Sequence, residues 1–94
     1  MNRHIIRLDE PDPVGGFTEI IEWPDGRVAY MLEGEFHRLD GPSFIAADGR
    51  QAWHINGVEH RDDGPAVIYP DGHEEYWIHG IQLTTKEFAS RASG

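Results

Sequence analysis

One cluster of chemically capable side chains occurs twice in this chain. It reads His37-Arg38-Leu39-Asp40-Gly41-Pro42 and then His60-Arg61-Asp62-Asp63-Gly64-Pro65, 23 residues further on. A His can act as a general base, and an Asp beside it can orient the ring. Recurrence argues against that use. A catalytic centre is one place, whereas a joint between structural units must appear at every junction. The chain has no Cys, and no Ser recurs near either His. No catalytic residue is assigned, and the expectation is that the protein is not an enzyme. Read as joints, the two stretches divide the labour. Gly41 and Gly64 permit a tight turn, while Pro42 and Pro65 fix φ where the next strand begins. Arg38 and Asp63, from neighbouring loops, are expected to pair through a bidentate fork.

Six histidines raise the question of a metal. His37 and His60 lie one unit apart, and two strands per unit separate them by about 10 Å. Two imidazoles on one zinc must each come within about 2.1 Å of it. No further ligand converges by spacing, so no metal site is assigned. No glycine-rich phosphate loop, G-x-S-x-G or H-E-x-x-H stretch is present. No cofactor is expected.

The elements that would position these loops follow the same grid. Asp25-Gly26, Asp48-Gly49 and Asp71-Gly72 are spaced by 23 residues, as are Gly34, Gly57 and Gly80, and the aromatics Tyr30, Trp53 and Tyr76. A period of this size signals a stacked array. Three units are expected over 17–38, 39–61 and 62–84, each holding one hairpin. The first strands are 20–23, 43–46 and 66–69. A type I turn with Asp-Gly follows, Gly taking the left-handed position of a bulge. The second strands are 27–32, 50–55 and 73–78. Along them Tyr30, Trp53 and Tyr76 face the core, backed by Leu32, Ile55 and Ile78. Glu33-Gly34, Asn56-Gly57 and His79-Gly80 suit a reversal with positive φ, after which a loop of about nine residues leads onward. The last unit has Leu83-Thr84 where His-Arg would recur. Thr84 and Glu87 form a capping box for a short helix over 85–91, with Phe88 inward. The expected fold class is thus all-β: an array of three antiparallel β-hairpin repeats with a short C-terminal helical cap. A single domain over 1–94 is expected. It comprises an N-terminal cap strand and acidic linker (1–16), the repeats (17–84), and the helix and tail (85–94).

Charge narrows the partners. The net charge is −9, from 17 acids against 8 bases, with Lys86 the only lysine. Phosphate backbones and anionic membranes both require clustered Lys and Arg, so direct nucleic-acid and membrane binding are excluded as expectations. The apolar stretch at the N-terminus is too short for a signal peptide or a membrane span, and without Cys a reducing compartment follows. A cytoplasmic location is expected. The face opposite the aromatic row carries Met31, His54 and Trp77. It is uneven and expected to be partly exposed, which makes these residues candidate partner contacts together with the acids Glu74, Glu75 and Asp62.

Gly57-Val58-Glu59-His60-Arg61-Asp62-Asp63-Gly64-Pro65-Ala66, and the second copy from Gly34 to Pro42, resemble the MORN repeat. That repeat is a 23-residue hairpin unit with G-x-x-H-G-x-G and a following D-G turn. The resemblance covers roughly residues 20–83, and D-G here falls two residues later after the His. The H-R-x-D-G-P-A form also resembles repeats in phage and bacterial proteins that end in a G-x-x-L-T-x-x-E-F helix, which Gly80 to Phe88 matches. The likeness implies an elongated hairpin stack with a protein-interaction role. Together with the charge, it suggests a phage-encoded inhibitor that occupies the basic, nucleic-acid-binding surface of a host protein, as anti-CRISPR proteins do. A structural or oligomerisation module, with a homodimer, is the alternative.

Overall fold

The computed structural model describes residues 2–93. The chain forms mostly antiparallel β-sheet with one short C-terminal helix. In order the elements are β1 (His4–Arg7), β2 (Glu19–Glu22), β3 (Val28–Leu32), β4 (Glu35–Phe36), β5 (Phe44–Ile45), β6 (Gln51–Ala52), β7 (His54–Ile55), β8 (Val58–Glu59), β9 (Val67–Ile68), β10 (Glu74–Ile78), β11 (Ile81–Leu83) and α1 (Thr85–Ser93).

Local chemistry explains where the chain turns. Between β2 and β3, Gly26 N–H donates to Trp23 O and Trp23 N–H donates to Arg27 O. The same pair of bonds closes 46–50, between β5 and β6, and 69–73, between β9 and β10. Asp25, Asp48 and Asp71 each accept the amide two residues on, which holds the turn before any strand pairs. The glycines at 26, 49 and 72 have φ of 101°, 97° and 93°, where a side chain would be strained.

A second reversal follows in each unit. Glu33-Gly34, Asn56-Gly57 and His79-Gly80 all have positive φ at both positions, the signature of a two-residue hairpin turn. Leu32 faces Glu35, Ile55 faces Val58, and Ile78 faces Ile81 across these turns. This corrects the expectation of one hairpin followed by a nine-residue loop. The first residues of that loop fold back as β4, β8 or β11. Two-residue strands such as Glu35-Phe36 and Val58-Glu59 carry no alternation, so periodicity could not reveal them. The expected strand 50–55 is likewise interrupted at Trp53, between β6 and β7.

The main sheet runs β1-β2-β3-β5-β6-β9-β10-β11, with β4 on β3, while β7 and β8 pair by themselves. Register places Ile21, Ala29, Phe44, Ala52, Val67 and Glu75 in one row across it. The buried apolar residues are mostly small: Ala29, Ala52, Ala66 and Val67, with Phe17 the largest. Small side chains let neighbouring elements approach closely over a thin interior. The molecule measures 43 × 30 × 17 Å. Its radius of gyration of 14.0 Å exceeds the roughly 12 Å of a compact globule of this length. Strand β1 forms one margin of the sheet, next to β2. Asp12 Oδ2 accepts the amides of Val14 and Gly15 in the connecting turn, and Leu39 N–H donates to Gly15 O, tying that turn to the first repeated loop. No helix among the described residues is long and apolar enough to cross a membrane.

Candidate functional site

The two His-Arg-x-Asp-Gly-Pro loops have nearly identical internal wiring. His37 Nδ1 accepts the amide of Asn56 at 3.0 Å, and His60 Nδ1 accepts the amide of His79 at 2.9 Å. Each histidine thus clamps the positive-φ turn 19 residues ahead. With Nδ1 accepting, the neutral ring carries its proton on Nε2. In His60 that proton faces Asp62 Oδ2 at 3.1 Å, and the bond holds the Asp62 carboxyl below its ordinary value. A general base needs a free lone pair in reach of a substrate. Here it is spent on the backbone, and His37 is buried as well.

The arginines are equally committed. Arg38 donates from Nε to Asp40 at 2.9 Å and from Nη1 to Pro42 O at 3.3 Å, and lies 4.0 Å over the Tyr30 ring. Arg61 repeats this with Asp63 at 3.0 Å, Pro65 O at 3.0 Å and the Trp53 ring at 4.1 Å. The expected pairing of Arg38 with Asp63 is therefore wrong. A carboxylate two residues along the same loop is already in reach, and closing that short ring costs less entropy than bridging two loops. The role expected for Gly41 and Gly64 changes too. Neither has positive φ. A Cβ at either would lie 2.9 Å from the guanidinium carbon of Arg38 or Arg61, so glycine is there to let the arginine cross the backbone.

After β10 and β11, Leu83-Thr84 stands where the 23-residue spacing would put His-Arg, and α1 follows. Thr84 and Glu87 bond reciprocally at 2.8 and 3.1 Å. Phe88 packs its ring 4.5 Å from Tyr76, covering the aromatic that an arginine covers in the other two units. Arg91 then reaches back to Asp62, with Nη2 3.3 Å from Oδ1.

The residues expected to meet a partner divide into two groups. Trp77 is half-buried and donates its indole N–H to Glu75 at 3.0 Å. Glu75 also accepts the Tyr69 hydroxyl at 3.0 Å, which pushes the Tyr69 pKa up. His54 and Met31 are half-buried as well. His54 packs against Phe36 and bonds Ser43 Oγ at 2.7 Å. Burial, reinforced by the charge of Arg50, lowers its pKa. The side chains of His54, Trp77 and Glu75 are thus bonded within the fold. The Ser43–His54 pair has the elements of a nucleophile and base, but Ser43 is fully buried. Glu74 and Asp62 are exposed. Among the described residues no group of three His, Cys, Asp or Glu could hold a metal ion.

Sequence reasoning missed the open groove between the two loops. It encloses about 1110 Å³, with Trp53 and Ile55 among its lining residues, Leu39 and Pro42 from the first loop, and His60 to Asp63 from the second. Leu39 and Val58 are 60% and 43% exposed there. The signal available was position x of the motif, Leu39 in one copy and Asp62 in the other. It is the one place where the two loops differ. Comparison with protein-family models, curated proteins and solved structures finds no match to this chain.

Proposed function

We propose that the chain is a non-enzymatic protein-binding module, an array of three MORN-like hairpin repeats whose acidic surface docks onto a basic, nucleic-acid-binding partner. In its concrete form it is a phage-encoded, anti-CRISPR-like inhibitor acting in the host cytoplasm. One observation carries the reading: charge is layered. The arginines of the repeats lie over aromatic rings at Trp23, Tyr30, Phe44 and Trp53, while most acids are exposed. The pair Arg61–Asp63 illustrates it, with side-chain exposures of 25% and 86%. A partner therefore meets carboxylates first, which steers a basic surface toward the chain and repels nucleic acid.

Capture from a bacterial host lysate tests this. The immobilised chain should enrich nucleic-acid-binding proteins at about 0.05 M NaCl and lose most of them at about 0.5 M, where screening shortens the reach of charge to a few ångströms. An Asp62→Asn/Asp63→Asn/Glu74→Gln variant should capture less at low salt. Capture that ignores both salt and variant overturns the reading.

A structural, self-associating module is the second reading, favoured by the edge strand β11, where Ile81 is 66% exposed. Sedimentation separates the two. A stable homodimer supports self-association, and a monomer supports a different partner.

A further inference from the structure

The repeated loops form a constant frame around a variable position. In each, His is consumed by the next turn, Arg by an aromatic ring, Asp by that Arg, Gly by the close approach of the guanidinium, and Pro by its carbonyl. The variable position places Leu39 from one loop and Asp62 from the other on the groove, which exposed Val58 also lines, together with Asp63, whose side chain stays 86% exposed although Arg61 holds one oxygen.

We propose that this groove seats an extended segment of a partner protein that presents an aliphatic side chain next to an arginine. The proposal rests on the protein-docking reading and narrows it to one place and one chemistry. Three observations select that occupant. The groove is open and, at about 1110 Å³, larger than most small-molecule pockets, which span roughly 300–1,000 Å³, so it suits a length of chain. Its exposed apolar side chains, Leu39 and Val58, are aliphatic, and their burial would be newly gained on binding. Its outer charges are carboxylates, because Asp62 and Asp63 are 70% and 86% exposed while Arg61 lies beneath them. The chain also shows which cation fits: the guanidinium of Arg91 rests at Asp62, bonding both its carboxylate at 3.3 Å and its carbonyl at 3.5 Å. Both contacts are long, so an incoming arginine can replace Arg91.

The test uses the full chain and a fluorescent octapeptide of alternating Leu and Arg, with Gly-Arg and Leu-Glu octapeptides as controls. Anisotropy should show the Leu-Arg peptide binding best. Leu39→Ser and Asp62→Asn/Asp63→Asn should each weaken it about fivefold, and Arg91→Ala should strengthen it about twofold, changes near or below 1 kcal/mol. Amide chemical shifts should move around 39–42 and 58–63. All three variants change exposed side chains, and retained native amide dispersion confirms the fold where Asp63→Asn weakens the hold on Arg61. If Leu-Arg and Gly-Arg peptides bind alike and Leu39→Ser has no effect, the groove proposal fails while acidic docking stands. If neither arginine peptide binds at low salt, both fail.

Discussion

His54 is a histidine whose charging the fold opposes. Burial is the main cause and Arg50 adds to it, so the unfolded chain takes up the proton more readily than the folded one. Stability is therefore full above the ordinary value of 6.5 and declines as pH falls through that value toward the lowered folded one. Chemical denaturation from pH 8 to pH 5 should show this decline, and His54→Gln should flatten it. Gly64 tests a different contact. In Gly64→Ala the new Cβ meets the Arg61 guanidinium carbon at 2.9 Å, and that guanidinium is pinned by Trp53, Asp63 and Pro65. The expected cost is about 1–3 kcal/mol, in the range of overpacking. In an Arg61→Ala background the same change should cost far less, and a double-mutant cycle by urea denaturation measures the difference.

At the scale of elements, successive hairpins are joined by a relay. Each loop histidine receives the amide of the following turn, and the arginine next to it caps an aromatic of its own unit. The third unit has no such arginine, and α1 supplies Phe88 in its place. Phe88→Ala should cost about 2–3 kcal/mol, less than the roughly 3–5 kcal/mol of a fully buried phenylalanine because Phe88 is only half-buried. Thr84→Ala should cost about 1 kcal/mol through the lost cap. Thermal melting followed by circular dichroism ranks the two. The reverse order would mean that the helix is held by its own cap and not by its place over Tyr76.

For the whole molecule, charge should act on folding and on the proposed docking with opposite sign. A chain of net charge −9 repels itself, and salt screens that repulsion. The melting temperature should therefore rise as NaCl increases from about 0.02 to 0.3 M, while affinity for a basic partner falls. A melting temperature that drops with salt would show that the local Arg–Asp and His–Asp pairs outweigh the global repulsion.

Much of the local structure was legible in the residues. The Asp-Gly turns, the positive-φ dipeptides and the Thr84–Glu87 cap depend on bonds within a few positions of the chain, so residue type and spacing were enough to locate them. The outward-facing acids were legible for a similar reason, since most of 17 carboxylates cannot be buried without partners. Long-range assignments were not. Whether Arg38 pairs with Asp40 or Asp63, and whether His54 is set against Ser43 and Phe36, depend on which strands and loops lie side by side. The groove between the loops belongs to the same class, whereas β4 and β8 were hidden by their two-residue length, which carries no alternation. By itself the sequence determined the period, the turns and the balance of charge. Only the tertiary structure decided which side chains hold successive hairpins together and which face outward, because the backbone hydrogen bonds and histidine clamps that join them span 13 residues or more of chain, beyond the range of any local pattern.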